Sequence, residues 1–206
     1  MLLSLFQNPI IALSFIIALL IGLTIHEASH AISANKLGDD TAKLMGRASF
    51  NPLVHLDLFG TLFLFIVGFG WGKPVPVNPN KFKNPVRDEI IVSLTGPFSN
   101  ILIALIFGLI LRFFNQYFSV PLNLLLTIII AINLRLAIFN LLPFPPLDGS
   151  KILQTFIPYN RYYQIQQYGT MLLFLIFIFG GTIFYYIITF PADFLFKLFV
   201  GTPPLF

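Results

Sequence analysis

Two histidines and a glutamate near the N-terminus have the types and spacing of a metal-hydrolase site. His26, Glu27 and His30 form the pattern HExxH. On a helix, residues four apart share a face, so both histidines can ligate one Zn²⁺ while the glutamate acts as general base on a water that the ion activates. The pattern ends an apolar run from Pro9 to Ile25. Because ionisable side chains at membrane depth are costly and usually functional, we predict a metal site rather than a chance match.

A carboxylate late in the chain is the predicted third ligand. The chain has no cysteine, so a metal must be held by histidine and carboxylate. The segment NLLPFPPLDG, residues 140–149, ends another apolar run and carries Asp148. Its prolines stop the helix and its glycine permits a tight turn, which lets the carboxylate bend back into the bundle. His26, His30 and Asp148 would leave a fourth zinc position for water, as in catalytic sites.

Two further residues leave alternatives open. His55 is the rival third ligand, with Asp57 available to orient its imidazole; otherwise it is an interfacial or gating residue. Arg135 lies in an apolar stretch, where a charge needs a partner or a polar cavity. Asp57, Asp88 and Glu89 are the candidate partners.

The composition predicts an all-α polytopic membrane protein. Of the 206 residues, 57% are hydrophobic and only 10% are charged, which is too apolar for an ordinary soluble domain. Roughly 20 apolar residues cross a bilayer. Four runs are long enough: 9–31, 90–114, 120–142 and 168–190. We expect a bundle of four to six transmembrane helices with a short or re-entrant segment at 58–69, and a C-terminal piece, 192–206, along the interface.

The basic residues indicate topology rather than a nucleic-acid partner. If residues 58–69 re-enter rather than cross, residues 32–89 and 143–161 lie on the same side as the HExxH pattern and as Asp148. These two stretches hold nine of the twelve lysines and arginines. By the positive-inside rule that side is cytoplasmic, which predicts a multi-pass protein, in the cell membrane, whose active site faces the cytoplasm.

A proline-rich segment in the middle of the chain predicts extended backbone. Residues 70–80 read GWGKPVPVNPN, and prolines at alternate positions forbid a helix. Such a segment beside an active site can offer its edge to a substrate strand. The alternative is a rigid connector between two helices.

Three motifs in order resemble the site-2 protease family of intramembrane zinc metalloproteases. They are HExxH at 26–30, GPFSN at 96–100, similar to the family's GPxxN element, and NxxPxxxLDG at 140–149. Residues 51–55, 72–78 and 139–149 look like the compact branch without PDZ or CBS accessory domains. The resemblance covers roughly residues 22–160. It implies one membrane-embedded protease domain, 1–206, with a catalytic core at about 9–160 and one or more C-terminal helices at about 162–206.

The resemblance also implies the roles of individual residues. It makes His26, His30 and Asp148 ligands of one catalytic Zn²⁺ and Glu27 the base, which agrees with the reading of the residues themselves. Asn140 would orient substrate or stabilise the oxyanion; alternatively, it satisfies carbonyls freed near the prolines. Asn100, in GPFSN, is expected to join helices by hydrogen bonding.

The expected reaction is hydrolysis of a peptide bond within or near a transmembrane segment. Substrates implied by the resemblance are single-pass regulatory proteins or leftover signal peptides in the bilayer. A zinc-binding transporter or scaffold without proteolysis is the alternative. Glu27 discriminates between them, because a transport site needs ligands but no general base beside them. Oligomeric state is not predicted.

Overall fold

The computed structural model describes residues 8–67 and 70–204, and three of its helices are long and apolar enough to cross a membrane. These are the first, fourth and fifth helices along the chain. No β-strand occurs in the described ranges. The α-helices are α1 (Pro9–Leu37), α2 (Thr41–Leu44), α3 (Leu58–Val67), α4 (Pro85–Phe114), α5 (Val120–Asn140), α6 (Tyr159–Phe179), α7 (Gly181–Phe184) and α8 (Phe190–Val200).

Short helical turns join these elements. A π-helical turn covers Tyr185–Thr189, between α7 and α8. The 3-10 helices are Pro52–Val54, Pro79–Lys81, Asn115–Tyr117 and Asp148–Thr155.

Local sequence sets both ends of α1. The side chain of Asn8 accepts hydrogen bonds from the backbone N–H groups of Ile10 and Ile11, and Pro9 occupies the first turn, where a missing N–H costs nothing. At the other end Gly38 has φ 113°, a left-handed conformation that a side chain would strain. The helix therefore presents 29 residues, with the HExxH pattern two turns before its end.

Small side chains allow the three spanning helices to pack closely. Fully buried alanines occur on all three, among them Ala28 of α1, Ala104 of α4 and Ala137 of α5. Lipid tails are as apolar as leucine, so close van der Waals packing rather than hydrophobic burial drives helix association in a bilayer. α1, α4 and α5 form the bundle that positions the predicted ligands.

The C-terminal region differs from its predicted course. The predicted run at 168–190 is not one helix, since α6 ends at Phe179 and Gly180 separates it from the short α7, which begins at Gly181. The segment expected along the interface instead forms α8, whose Phe196 is buried in the core between α4 and α5. A large apolar residue stabilises more when packed than when left at an interface.

The structure also shows the length of the short apolar run at 58–69 and the contact of the charged residue Arg135. α3 has ten residues, about 15 Å of helix, which is half of a hydrocarbon core; the last part of the predicted run, Gly68 and Phe69, lies outside the described residues. Arg135 pairs with Asp193 of α8 at 3.2 Å, a carboxylate outside the predicted set of Asp57, Asp88 and Glu89. The partner was missed because α8 was not expected in the bundle.

Candidate metal centre

The structure brings the three predicted ligands together at one end of the bundle, the end that is predicted to face the cytoplasm. His26 and His30 are buried on α1, one turn apart, and Asp148 is the first residue of its 3-10 helix. Oδ2 of Asp148 lies 3.0 Å from Nε2 of His26 and 3.3 Å from Nε2 of His30. Ligand atoms around one tetrahedral Zn²⁺ are separated by about 3.3 Å, so this spacing fits a zinc site. Within the described residues these three form the group of metal-type ligands.

Hydrogen bonds behind the rings turn their lone pairs toward Asp148. Nδ1 of His30 lies 2.8 Å from the carbonyl oxygen of Val92, which can only accept, so that nitrogen carries the proton. Nδ1 of His26 lies 2.6 Å from Oδ1 of Asn100, whose amide nitrogen donates to the carbonyl of Gly22 at 2.9 Å. In their neutral forms both rings therefore present bare Nε2 atoms to the carboxylate.

Three acceptor atoms facing one another require a positive charge between them. Oδ2 of Asp148 is buried, and no described group meets hydrogen-bond geometry with it. Without a metal the charge must be a proton: burial raises the pKa of the Asp148 carboxyl, but the two imidazoles beside it, that of His30 first, hold the pKa below its usual range. A divalent ion supplies positive charge to all three acceptor atoms at once and fits their spacing, so the residues present fit Zn²⁺.

Glu27 lies beside the ligands and contacts the proline-rich segment. Its Oε2 accepts a hydrogen bond from the backbone N–H of Val75 at 3.2 Å. The segment is non-helical over residues 70–78, as predicted, and then enters the 3-10 helix Pro79–Lys81. Gly72 forms an antiparallel bridge with Leu56. Further along, the N–H of Asn78 donates to the buried Asp39 at 2.6 Å. The general-base candidate is thus held against a loop that is anchored at both ends.

The GPFSN element of α4 lies directly against the histidine rings. A Cβ at Gly96 would lie 2.5 Å from Nε2 of His30 and 2.7 Å from Cε1 of His26. Only glycine lets the rings approach the α4 backbone this closely. Asn100 joins helices by hydrogen bonding, as expected, and in addition holds His26. Sequence reasoning missed Gly96 and the carbonyl of Val92, although Val92, Gly96 and Asn100 recur every four residues on one helical face.

The loop that carries Asp148 is folded tightly onto the end of α5. Gly149 packs against the carbonyl of Leu141 so closely that a side chain would not fit. Its φ is not positive, so the turn needs the glycine for this close approach and not for a left-handed backbone conformation. Lys151, in the same 3-10 helix, pairs with Glu89 of α4 at 2.5 Å and ties the loop to the bundle.

Asn140 and His55 have other contacts in the described structure. Asn140, the last residue of α5, donates from Nδ2 to the carbonyl of Leu136 at 2.9 Å, and no contact with the ligands is described. His55 is fully buried, with Nε2 2.8 Å from the carbonyl of Ser49, and does not join the ligand group. Asp57 does not orient His55; its side chain accepts from the N–H of Gly60 at the start of α3.

Comparisons with known proteins agree with this geometry. The sequence model of peptidase family M50 matches residues 14–122 and 115–181. The putative zinc metalloprotease YwhC of Bacillus subtilis is 38% identical over 196 residues, 89% of this chain and 90% of the relative. The putative zinc metalloprotease MJ0611 of Methanocaldococcus jannaschii is 32% identical, covering 69% of this chain and 71% of its own.

A third relative is also named a putative zinc metalloprotease. The putative zinc metalloprotease Rip2 of Mycolicibacterium smegmatis is 31% identical over 135 residues, 63% of this chain and 52% of the relative. No solved structure matches the chain. With its apolar spanning helices and its His-His-Asp group, the chain belongs to peptidase family M50, the site-2 protease family, and is an integral membrane zinc metalloprotease.

Proposed function

We propose that this protein is an intramembrane endopeptidase that hydrolyses peptide bonds within or near transmembrane segments, with Glu27 as its general base. One observation carries the proposal: Nε2 of His26, Nε2 of His30 and Oδ2 of Asp148 converge at one point, and Glu27 follows His26 directly on the same helix. A transport site would need the three ligands but no base next to them. The whole chain, 1–206, then acts as one domain with its catalytic core at about 9–160.

The chemistry divides between the ion and the side chains. Zn²⁺, when bound, polarises the scissile carbonyl and lowers the pKa of its water toward 7. His26, His30 and Asp148 hold the ion and leave its fourth position open. Glu27 accepts the proton of the attacking water and returns it to the leaving amine. One amide hydrogen of Asn140 is donated to the carbonyl of Leu136. The second amide hydrogen can be donated to a substrate oxygen.

The extended segment is proposed to hold the unwound substrate, and its hydrogen bonds indicate how. The N–H of Lys73 donates to the carbonyl of His55 at 2.8 Å, and Pro74 and Pro76 have no N–H. The N–H of Val75 remains, and its partner is a side chain, Glu27. A substrate carbonyl can replace that carboxylate at Val75, which would add the substrate as a strand and free Glu27 for proton transfer.

The orientation in the membrane is part of the proposal. The loops that carry Asp148 and the extended segment lie on the side rich in lysine and arginine, so the site would open to the cytoplasm from the cell membrane. Substrates would be single-pass regulatory proteins or leftover signal peptides. The surrounding bilayer presents them directly to the bundle.

The test compares wild type with Glu27→Gln in detergent. Bound zinc and cleavage of a panel of single-span substrates are measured for both, with Asp40→Asn, an exposed carboxylate at the same end of the bundle, as the matched control. We expect zinc in all three proteins and cleavage by wild type and Asp40→Asn only. Cleavage by Glu27→Gln at the wild-type rate would contradict the assigned base. Zinc uptake into liposomes without cleavage would establish the transporter alternative.

A further inference from the structure

A chain of polar groups behind His26 crosses all three spanning helices. Asn100 on α4 and Asn133 on α5 have no exposed surface. Nδ2 of Asn100 lies 2.8 Å from Oδ1 of Asn133, and Nδ2 of Asn133 lies 2.8 Å from the carbonyl oxygen of Ile129, one turn earlier on α5. With the bond between Asn100 and His26, the series links α5 through α4 to a predicted zinc ligand.

The donor and acceptor of each hydrogen bond in this series are set by the carbonyl of Ile129 at its end. The carbonyl of Ile129 can only accept, so Asn133 turns its NH₂ group toward it and its oxygen toward Asn100. Asn100 must then turn its NH₂ group toward that oxygen, and the carbonyl of Gly22 takes the second amide hydrogen. The oxygen of Asn100 is left facing His26, whose Nδ1 can only donate. Nε2 is therefore bare.

His26 and His30 differ in how this orientation is secured. His30 donates directly to the carbonyl of Val92, which fixes its proton without further help. The partner of His26 is an amide, which would serve equally well as a donor if it turned over. Asn133 and the carbonyl of Gly22 both oppose that rotation, because a turned Asn100 would set its oxygen against theirs; Asn133 is the side chain of the two. A buried unpaired group of that kind is expensive.

A glycine on α1 makes room for the side chain of Asn133. A Cβ at Gly22 of α1 would lie 3.2 Å from Oδ1 of Asn133, closer than ordinary contact, so the glycine gives this amide its place between α1 and α5. We propose that Asn133 is a positioning residue for the metal centre: through Asn100 it fixes His26 with its proton on Nδ1 and its lone pair on Nε2. This rests on the proposed function, since it presumes that His26 ligates zinc.

Three substitutions at Asn133 separate positioning from packing. Asn133→Leu keeps the volume and removes both hydrogen bonds. Asn133→Ser can still bond back to the carbonyl of Ile129 but cannot reach Asn100. Asn133→Asp, buried and therefore neutral, can donate to Ile129 and accept from Asn100 as the amide does. Asn123→Leu, on the same helix and bonded to the carbonyl of Asn115, is the matched control.

Two readouts other than activity are used, both on the full-length protein in detergent. Zinc affinity is measured by competition with a chelator, and ¹⁵N spectra of labelled imidazoles are recorded on zinc-loaded protein, where the chain's three histidines give few signals. We expect Asn133→Leu and Asn133→Ser to bind zinc roughly tenfold more weakly. The Nδ1–H signal of His26 should shift and exchange faster, while that of His30 stays unchanged. Asn133→Asp should restore both, and Asn123→Leu should alter neither.

Each outcome decides the inference. Wild-type affinity and an unchanged His26 signal in Asn133→Ser would overturn it, as would equal changes at His26 and His30, which would indicate general loosening. Should Asn133→Leu not fold, the serine and aspartate variants decide between the two results. A wild-type protein that binds no zinc would instead refute the proposed function, so the two failures are distinguishable.

Discussion

Replacing Gly96 by alanine tests whether the metal centre depends on the close approach of α4 to the two histidine rings. The added Cβ would lie 2.5 Å from Nε2 of His30, whereas ordinary contacts begin at 3.4 Å. The rings must therefore move by about 0.9 Å, the difference between these distances. Helix α4 cannot yield easily, because Asn100, one turn further on, is bonded to both α1 and α5.

A displacement of this size is large for a metal site. Zinc–ligand distances are held within about 0.2 Å, and a misplacement of about 1 Å at a reacting centre costs roughly 100-fold. We expect Gly96→Ala to weaken zinc binding by about 100-fold, which corresponds to about 2.8 kcal/mol. Cleavage should fall by at least as much at limiting zinc, since both histidine ligands are affected.

The assay compares Gly96→Ala with Gly108→Ala in the same helix. A Cβ at Gly108 would lie 2.8 Å from Cβ of Phe199, so this control introduces a similar overlap, but about 18 Å along the helix from the histidines. Zinc affinity is measured by chelator competition, and folding by thermal unfolding of the metal-free proteins. Both variants should unfold more easily, but only Gly96→Ala should lose zinc. Equal zinc affinities for the two variants would refute the reasoning.

Three further predictions concern residues outside the metal centre. Asp39→Ala should cost about 2 kcal/mol of stability at neutral pH. Burial raises the pKa of Asp39, but the hydrogen bonds from Thr41 and Asn78 together outweigh burial and hold that pKa below its usual value. The stability difference should therefore shrink in thermal melts as the pH falls through this lowered pKa. His55→Gln should bind zinc as tightly as wild type, and a loss of zinc would restore His55 as a ligand. Arg135→Met and Asp193→Asn should show a coupling of about 1 kcal/mol in a double-mutant cycle of thermal stability; additive effects would mean that the pair does not hold α8.

The convergence of the three candidate ligands was predictable because local rules govern it. HExxH needs only the periodicity of one helix to place His26 and His30 on a common face. The composition indicates a membrane environment, which makes the pattern meaningful, and the lack of cysteine leaves a carboxylate as the remaining ligand type. The helix-breaking prolines before Asp148 mark where the chain can turn back toward the site.

The groups that orient those ligands follow from packing between helices, which no local pattern specifies. The carbonyl of Val92 has no side-chain signature, and Asn133 lies in an apolar run where an asparagine could face any neighbour. The path of the C-terminal helix was unpredictable for the same reason, since its place depends on the free surface that α4 and α5 leave. Sequence alone determined which residues can hold zinc and that they lie in a membrane. Tertiary structure decided which protons and lone pairs face the metal. Only the contact of three helices brings the polar groups that orient the histidine rings into hydrogen-bonding distance of them.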